Sequence, residues 1–156
     1  MARRETVVSS VQIDRPPAEV FDYLTDVARH AEWSPKGYRV EGITRGEHVV
    51  QGTQFVSYGW LPNDKDHRNE VEATEVVTPT RLVLTSTEPG GEQFINTFTV
   101  APAGTGTAVE RVMDMPRPGG AVGVIFPVIA KFLVKPDVAK GLGKLKAAVE
   151  ESPSEA

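Results

Sequence analysis

Apolar residues recur with two different periods along this chain, and the points where the period changes divide it into elements. The stretch 5–13 is rich in β-branched residues (Thr6, Val7, Val8, Val11, Ile13), which predicts a strand. It stops at Asp14. Pro16 and Pro17 then stand where the first turn of a helix would lie, and Val20, Phe21 and Leu24 follow as an apolar stripe, so the pattern predicts a helix over 16–24. Proline fits a first turn because the N–H it lacks has no helical partner there. Glu19 falls in the same turn, where a negative charge suits the helix dipole. Asp26 is placed to cap a second short helix ending near Glu32.

Beyond Pro35 the chain reads as strands at 38–45, 53–60, 68–77, 81–87, 92–100 and 107–115. Turn formers separate them: Gly46-Glu47-His48, residues 62–66, Thr78-Pro79-Thr80, Pro89-Gly90-Gly91 and residues 102–106. Turns at such short spacing, with no helix between, favour a meander of hairpins over parallel units. After a connector at 115–120, a last helix begins near Ala121. Val138, Leu142, Leu145 and Val149 fall at helical spacing and give it one apolar face, and Pro136 is expected to kink or split it. The run 121–134 is apolar but too short to span a bilayer, and Pro127 and Lys131 interrupt it. The expectation is a single α+β domain over 1–150 with a frayed polar tail at 151–156.

Composition narrows the chemistry. A chain of 156 residues suits one domain and can bury about 70% of its unfolded surface. It has no cysteine, which removes disulfides, thiolate metal sites and thiol catalysis, and fits the expected cytoplasmic location. A formal net charge of −4 argues against a nucleic-acid partner. Arg3-Arg4 is followed by no apolar segment, which argues against a twin-arginine signal. His30, His48 and His67 show no metal-ligand spacing, so neither a metal nor another cofactor is expected. No nucleophile-elbow motif occurs, and Gly104-Thr105-Gly106 lacks the context of a phosphate-binding loop.

Candidate site residues follow from strand phase. Phe94, Asn96 and Phe98 share one face, which their aromatic rings place inward. Asn96 there would bond a ligand carbonyl or hydroxyl, or else a neighbouring side chain or water. Arg111 and Met113 share a face of the last strand. If that face is inward, Arg111 needs a partner such as Glu72 or Glu75, and it would anchor a carboxylate or polarise a carbonyl. If Glu110, Val112 and Asp114 face inward instead, Arg111 is a surface residue, the commoner situation and the one expected. Tyr58 and Trp60 end a strand beside a loop, to stack a flat ligand at a cavity mouth or to close a hairpin. Trp33 and Tyr23 sit on or beside the short helices, at a cavity floor or rim. His67 could cluster with Asp66 and Glu70, although a solvated hairpin is the better reading. Phe126 belongs to the 122–134 run behind Gly119-Gly120, either a mobile lid in transient contact with membrane or packed core. Gly141 and Gly143 would leave space for a ligand.

Several segments together resemble the START-like, or Bet v 1-like (SRPBCC), superfamily, and within it the bacterial polyketide cyclase/dehydrase group. They are Ile13-Asp14-Arg15-Pro16-Pro17-Ala18-Glu19-Val20-Phe21, Trp33-Ser34-Pro35, Gly52-Thr53-Gln54-Phe55, Glu75-Val76-Val77-Thr78-Pro79-Thr80-Arg81-Leu82, Gly106-Thr107-Ala108-Val109 and Leu142-Gly143-Lys144-Leu145-Lys146. The resemblance implies a helix-grip fold: a curved seven-stranded antiparallel sheet around a long C-terminal helix, two short helices after strand one, and an apolar cavity between. It implies binding of a hydrophobic small molecule, a lipid or polyketide, for transport, storage or sensing. The cavity candidates are Tyr23, Trp33, Phe55, Tyr58, Trp60, Phe94, Asn96, Phe98, Arg111, Met113 and Phe126. Two alternatives stand beside it: a cyclase, aromatase or dehydratase using Tyr58, His67 or Arg111, and a protein-interaction domain.

Overall fold

The computed structural model describes residues 3–61 and 64–153, without the side chains of Trp60 and Leu61. The order of parts is β1 (Arg4–Ile13), α1 (Pro17–Thr25), a 3₁₀ turn (Val27–Glu32), β2 (Arg39–Glu41), β3 (Gln54–Leu61), β4 (Asp64–Val77), β5 (Arg81–Thr87), β6 (Gln93–Ala103), β7 (Gly106–Pro116), α2 (Gly120–Ile129), a π-helical turn (Ala130–Val134) and α3 (Lys135–Glu151). Seven strands form one antiparallel sheet in the order β1-β7-β6-β5-β4-β3-β2. Among the described residues only the β1–β7 pair joins distant parts of the chain, with Arg4 opposite Pro116 and Ile13 opposite Thr107. This is the helix-grip α+β fold.

Pairing a terminal strand with the last one leaves a single concave face for the C-terminal helix to fill. Val138, Leu142, Leu145 and Val149 of α3 are buried there with Val20, Phe21 and Leu24 of α1. Of these, all but Val138 join Ile13, Leu82, Phe98, Val100 and Val109 of the sheet in one cluster. A second, smaller cluster lies under α2 and the π turn. It gathers Val7, Met115, Ala130 and Val138, with Phe94, Met113, Phe126 and Val134 packed against them.

Three expectations need correction, and a fourth is sharpened. The second strand is three residues long, because Gly42 turns away from the sheet with a φ of +85° that a residue with a side chain rarely adopts. Strand β4 begins at Asp64, so three residues read as turn formers lie in the strand instead; Pro62 and Asn63 lie outside the described residues. Asp26 does not cap the 3₁₀ turn; its Oδ2 accepts the Gly46 N–H at 3.1 Å. The last helix is interrupted before Pro136, in the π turn, and Pro136 lies in the first turn of α3. A proline at position 136 cannot donate back and its ring crowds the preceding carbonyls, and a wider turn just upstream relieves both.

Candidate functional site

The phase of β6 and β7 decides where the chemistry lies. Phe98, Val100, Val109 and Met115 are buried, so their parity faces the helices. Arg111 shares that parity and pairs opposite Phe98. It is therefore an interior arginine, which corrects the surface reading. The alternate face looks outward, where Asp114 meets Arg4 at 2.8 Å.

Arg111 lines a cavity of about 270 Å³ between the inner face of the sheet, the 3₁₀ turn and Tyr38. The wall is partly aromatic. Trp33 and Phe98 meet edge to face at 5.9 Å and 87°, and His30 lies 4.8 Å from Trp33. The Arg111 guanidinium sits 5.5 Å and 5.4 Å from the Trp33 and Phe98 ring centres, within reach of their π faces. Its Nε donates to Asn96 Oδ1 at 2.9 Å. Neither expected carboxylate reaches it: Glu72 accepts from Gln54 at 3.0 Å and Glu75 pairs with Arg81 at 3.1 Å. Among the described residues no acceptor takes a hydrogen bond from Arg111 Nη1 or Nη2. Burial pulls the arginine down to about 10, so it is charged at neutral pH.

Tyr38 and His30 are neutral polar groups beside Arg111. Burial pushes the Tyr38 hydroxyl up to about 12, against the opposing pull of Arg111 and of a hydrogen bond with Ser57. Burial pulls His30 down to about 4; its Nε2–H donates to the Leu24 carbonyl at 2.7 Å. Trp33 Nε1 and Asn69 Oδ1 are buried without a hydrogen-bond partner among the described residues. Buried polar atoms are rarely left so.

At the cavity wall His67 stands between two carboxylates, Asp64 Oδ2 at 3.1 Å from Nδ1 and Glu88 Oε1 at 2.9 Å from Nε2. Partial burial works against its charge, but the hydrogen bonds to Glu88 and Asp64 hold the imidazole above its ordinary range. The partners read from sequence are elsewhere: Asp66 pairs with Arg39 at 2.9 Å and Glu70 with Arg68 at 3.5 Å.

Of the sequence candidates, Trp33, Phe55, Phe94, Asn96, Phe98 and Arg111 come together around this cavity. Met113 and Phe126 pack in the second cluster instead. Tyr58 is on the outer face, where Arg39 lies 4.2 Å over its ring and its hydroxyl donates to Glu41 at 3.1 Å. Tyr23 is buried, but its hydroxyl donates to Glu32 and Arg29 covers its ring at 4.3 Å, away from the cavity. The Trp60 side chain lies outside those described. Gly141 serves close packing, since a Cβ there would lie 3.4 Å from the Trp33 carbonyl oxygen, and Gly143 borders open space; neither lines the cavity. His30, Tyr38, Ser57 and Asn69 were missed. His30 precedes Trp33 by three residues, a spacing that puts two side chains on one helical face, and that signal could have found it. A larger hollow of about 620 Å³ lies on the outer face of β3 to β6. Its walls are mainly Glu, Gln and Thr, with no arginine or lysine among them, so the inner cavity is the candidate site.

The sequence profile of a family described as polyketide cyclase / dehydrase and lipid transport matches residues 4–150. The chain belongs to this family. The matched segment runs from the first residue of β1 almost to the end of α3, so it contains the whole grip of sheet on helix. Solved structures of other chains share the fold. Protein MLL2253 of Mesorhizobium loti superposes with a TM-score of 0.68 at 20% identity, over 96% of this chain and 99% of that one. CV1439 of Chromobacterium violaceum gives 0.68 at 18% identity, over 94% and 98%. DynU16, a putative protein in the dynemicin biosynthetic locus, gives 0.61 at 20% identity, over 94% of this chain and 47% of its own. No curated protein matches the sequence. In this member of the polyketide cyclase/dehydrase and lipid transport family, no three metal-ligating side chains cluster among the described residues. No described helix is long and apolar enough to cross a membrane.

Proposed function

We propose that the chain binds a small, flat, largely apolar molecule in the inner cavity, with an anionic or carbonyl oxygen of that molecule seated on Arg111. The supporting observation is the arginine itself: an interior cation with one neutral acceptor at Nε, no carboxylate in hydrogen-bond contact, and two nitrogens unsatisfied among the described residues. A part-buried guanidinium that lines the cavity, with nitrogens that no protein acceptor takes, is completed by an oxygen that enters there. Asn96 fixes the guanidinium's orientation by taking Nε–H. Trp33 and Phe98 offer ring surface, and a volume of about 270 Å³ suits two or three fused rings rather than a two-chain lipid.

The test uses 2-naphthoate, with naphthalene as uncharged control, followed by calorimetry and by native mass spectrometry of the purified chain. The expected result is tighter binding of the naphthoate, abolished in Arg111→Leu, with the variant as stable as the parent or more so. Replacing a part-buried cation that makes no hydrogen bond to a carboxylate should not destabilise. Equal binding of both probes by the parent and the Leu variant would overturn the reading, as would loss of folding in the variant.

A second reading is catalysis of the cyclase or dehydratase type, favoured by one observation. Tyr38 is held neutral beside Arg111, a donor suited to an oxyanion developing on a bound carbonyl. Tyr38→Phe would then leave ligand affinity within a few-fold and remove turnover.

A further inference from the structure

The outer side of α2 and the π turn is apolar and open to solvent. Val122, Val124, Ile125, Val128, Phe132 and Leu133 are each more than half exposed. Scattered exposed apolar residues are ordinary, but six within residues 122–133 are more than scatter. The helix cannot roll to hide them. Its other side is already seated, with Ala130 buried and Phe126 and Val134 packed in the cluster of Val7 and Met115. Gly123 fixes the rotation, since a Cβ there would fall 2.0 Å from the Pro118 carbonyl oxygen. Only the residue without a side chain allows the helix to lie this close to the connector.

Charge tells what would cover the patch. Lys131 and Lys135 stand one turn apart and form no ion pair among the described residues. The Lys131 ammonium lies 5.6 Å from the Phe132 ring centre, at the border of the apolar patch. No carboxylate interrupts residues 120–136. We propose that this face docks on the surface of a bilayer containing anionic lipid. The apolar side chains enter the boundary of the acyl region, and the two lysines reach the headgroups with their stems along the apolar surface. A second copy of the chain fits less well. Self-pairing of the patch would bring Lys131 and Lys135 against their own counterparts. The segment 122–133, about 18 Å of helix, also offers less than the roughly 800 Å² per partner that stable dimers bury. The proposal is independent of what the cavity holds.

The test is co-sedimentation of the full chain with phosphatidylcholine vesicles, with and without phosphatidylglycerol, at low and high salt. Binding is expected to the anionic vesicles and to weaken with salt. Replacing Lys131 and Lys135 together by Gln should weaken it roughly thirty-fold. The pair Val124→Asp and Phe132→Asp should reduce it to background with an unchanged melting temperature, because both sites are solvent-facing. Val124→Trp supplies an independent readout, a blue shift of its emission on adding anionic vesicles. Failure to pellet with anionic vesicles would overturn the proposal. So would binding that survives the paired Asp substitutions, or a concentration-dependent dimer that those substitutions dissolve.

Discussion

The two helices that follow the sheet make an instructive contrast. Helix α3 carries seven charged residues among seventeen, and α2 carries none among ten, yet α3 is the one whose apolar side chains leave water. Val138, Leu142, Leu145 and Val149 of α3 are each at most 5% exposed, whereas Val124 of α2 is 79% exposed. The difference lies in arrangement. The apolar residues of α3 form a narrow stripe at helical spacing, and a concave sheet can cover a stripe. Those of α2 surround the axis, and contact on one side leaves the rest outside. Where apolar residues stand around a helix decides burial more than how many there are. The surplus on α2 is then a surface feature that calls for a partner.

The largest test of this contrast is a matched pair of truncations. Leu145→Ala should lower unfolding stability by about 2–5 kcal/mol in denaturant melts, while Val124→Ser should change it by no more than about 0.5 kcal/mol. Equal losses would mean that α2 contributes to the core after all. Acid comes next. His30 sits neutral in the packed half, and its depressed value means that unfolding takes up a proton below the ordinary 6.5. Its contribution is complete above pH 6.5 and declines as pH falls toward about 4, a loss of about 3 kcal/mol over that window. His30→Gln should flatten the pH dependence there. A third measurement is Gly123→Ala, where overpacking against Pro118 should cost about 1–3 kcal/mol. Amide exchange should then speed up in α2 and stay unchanged in α3; uniform acceleration would show the two helices to be one cooperative unit. The smallest effect concerns His67, whose raised value makes its contribution complete below pH 6.5 and lost as pH rises through the folded value. The loss of melting temperature as pH rises above about 6.5 should therefore shrink in His67→Gln.

Much of the fold was written in local pattern. The proline pair before Val20 and Phe21 marked α1, and the β-branched runs at 5–13 and 81–87 marked β1 and β5. Phe94, Asn96 and Phe98 declared their side because two aromatics flank the asparagine. Arg111 did not, since a period of two leaves phase open and a lone arginine is usually solvated. Only pairing with Phe98 across the strands turns it inward. Tyr38 was illegible for a related reason: it stands in irregular chain before β2, where no periodicity points a side chain. His67 was misplaced because Asp64 and Asp66 have the composition of a turn, while β4 runs through them, with Asp64 and His67 paired to β3. Local propensity was overridden there by a tertiary partner.

An inward-facing guanidinium with no carboxylate in hydrogen-bond contact also bears on the life of the protein in the cell. On the proposed reading, the unfilled chain is the weaker form, and an occupant present at about a hundred times its dissociation constant would strengthen it by about 2.7 kcal/mol. Differences of that size alter how much of a protein escapes proteases and chaperones. Steady-state abundance would then report the supply of the small molecule, and growth without that molecule would deplete the polypeptide without any change in its synthesis.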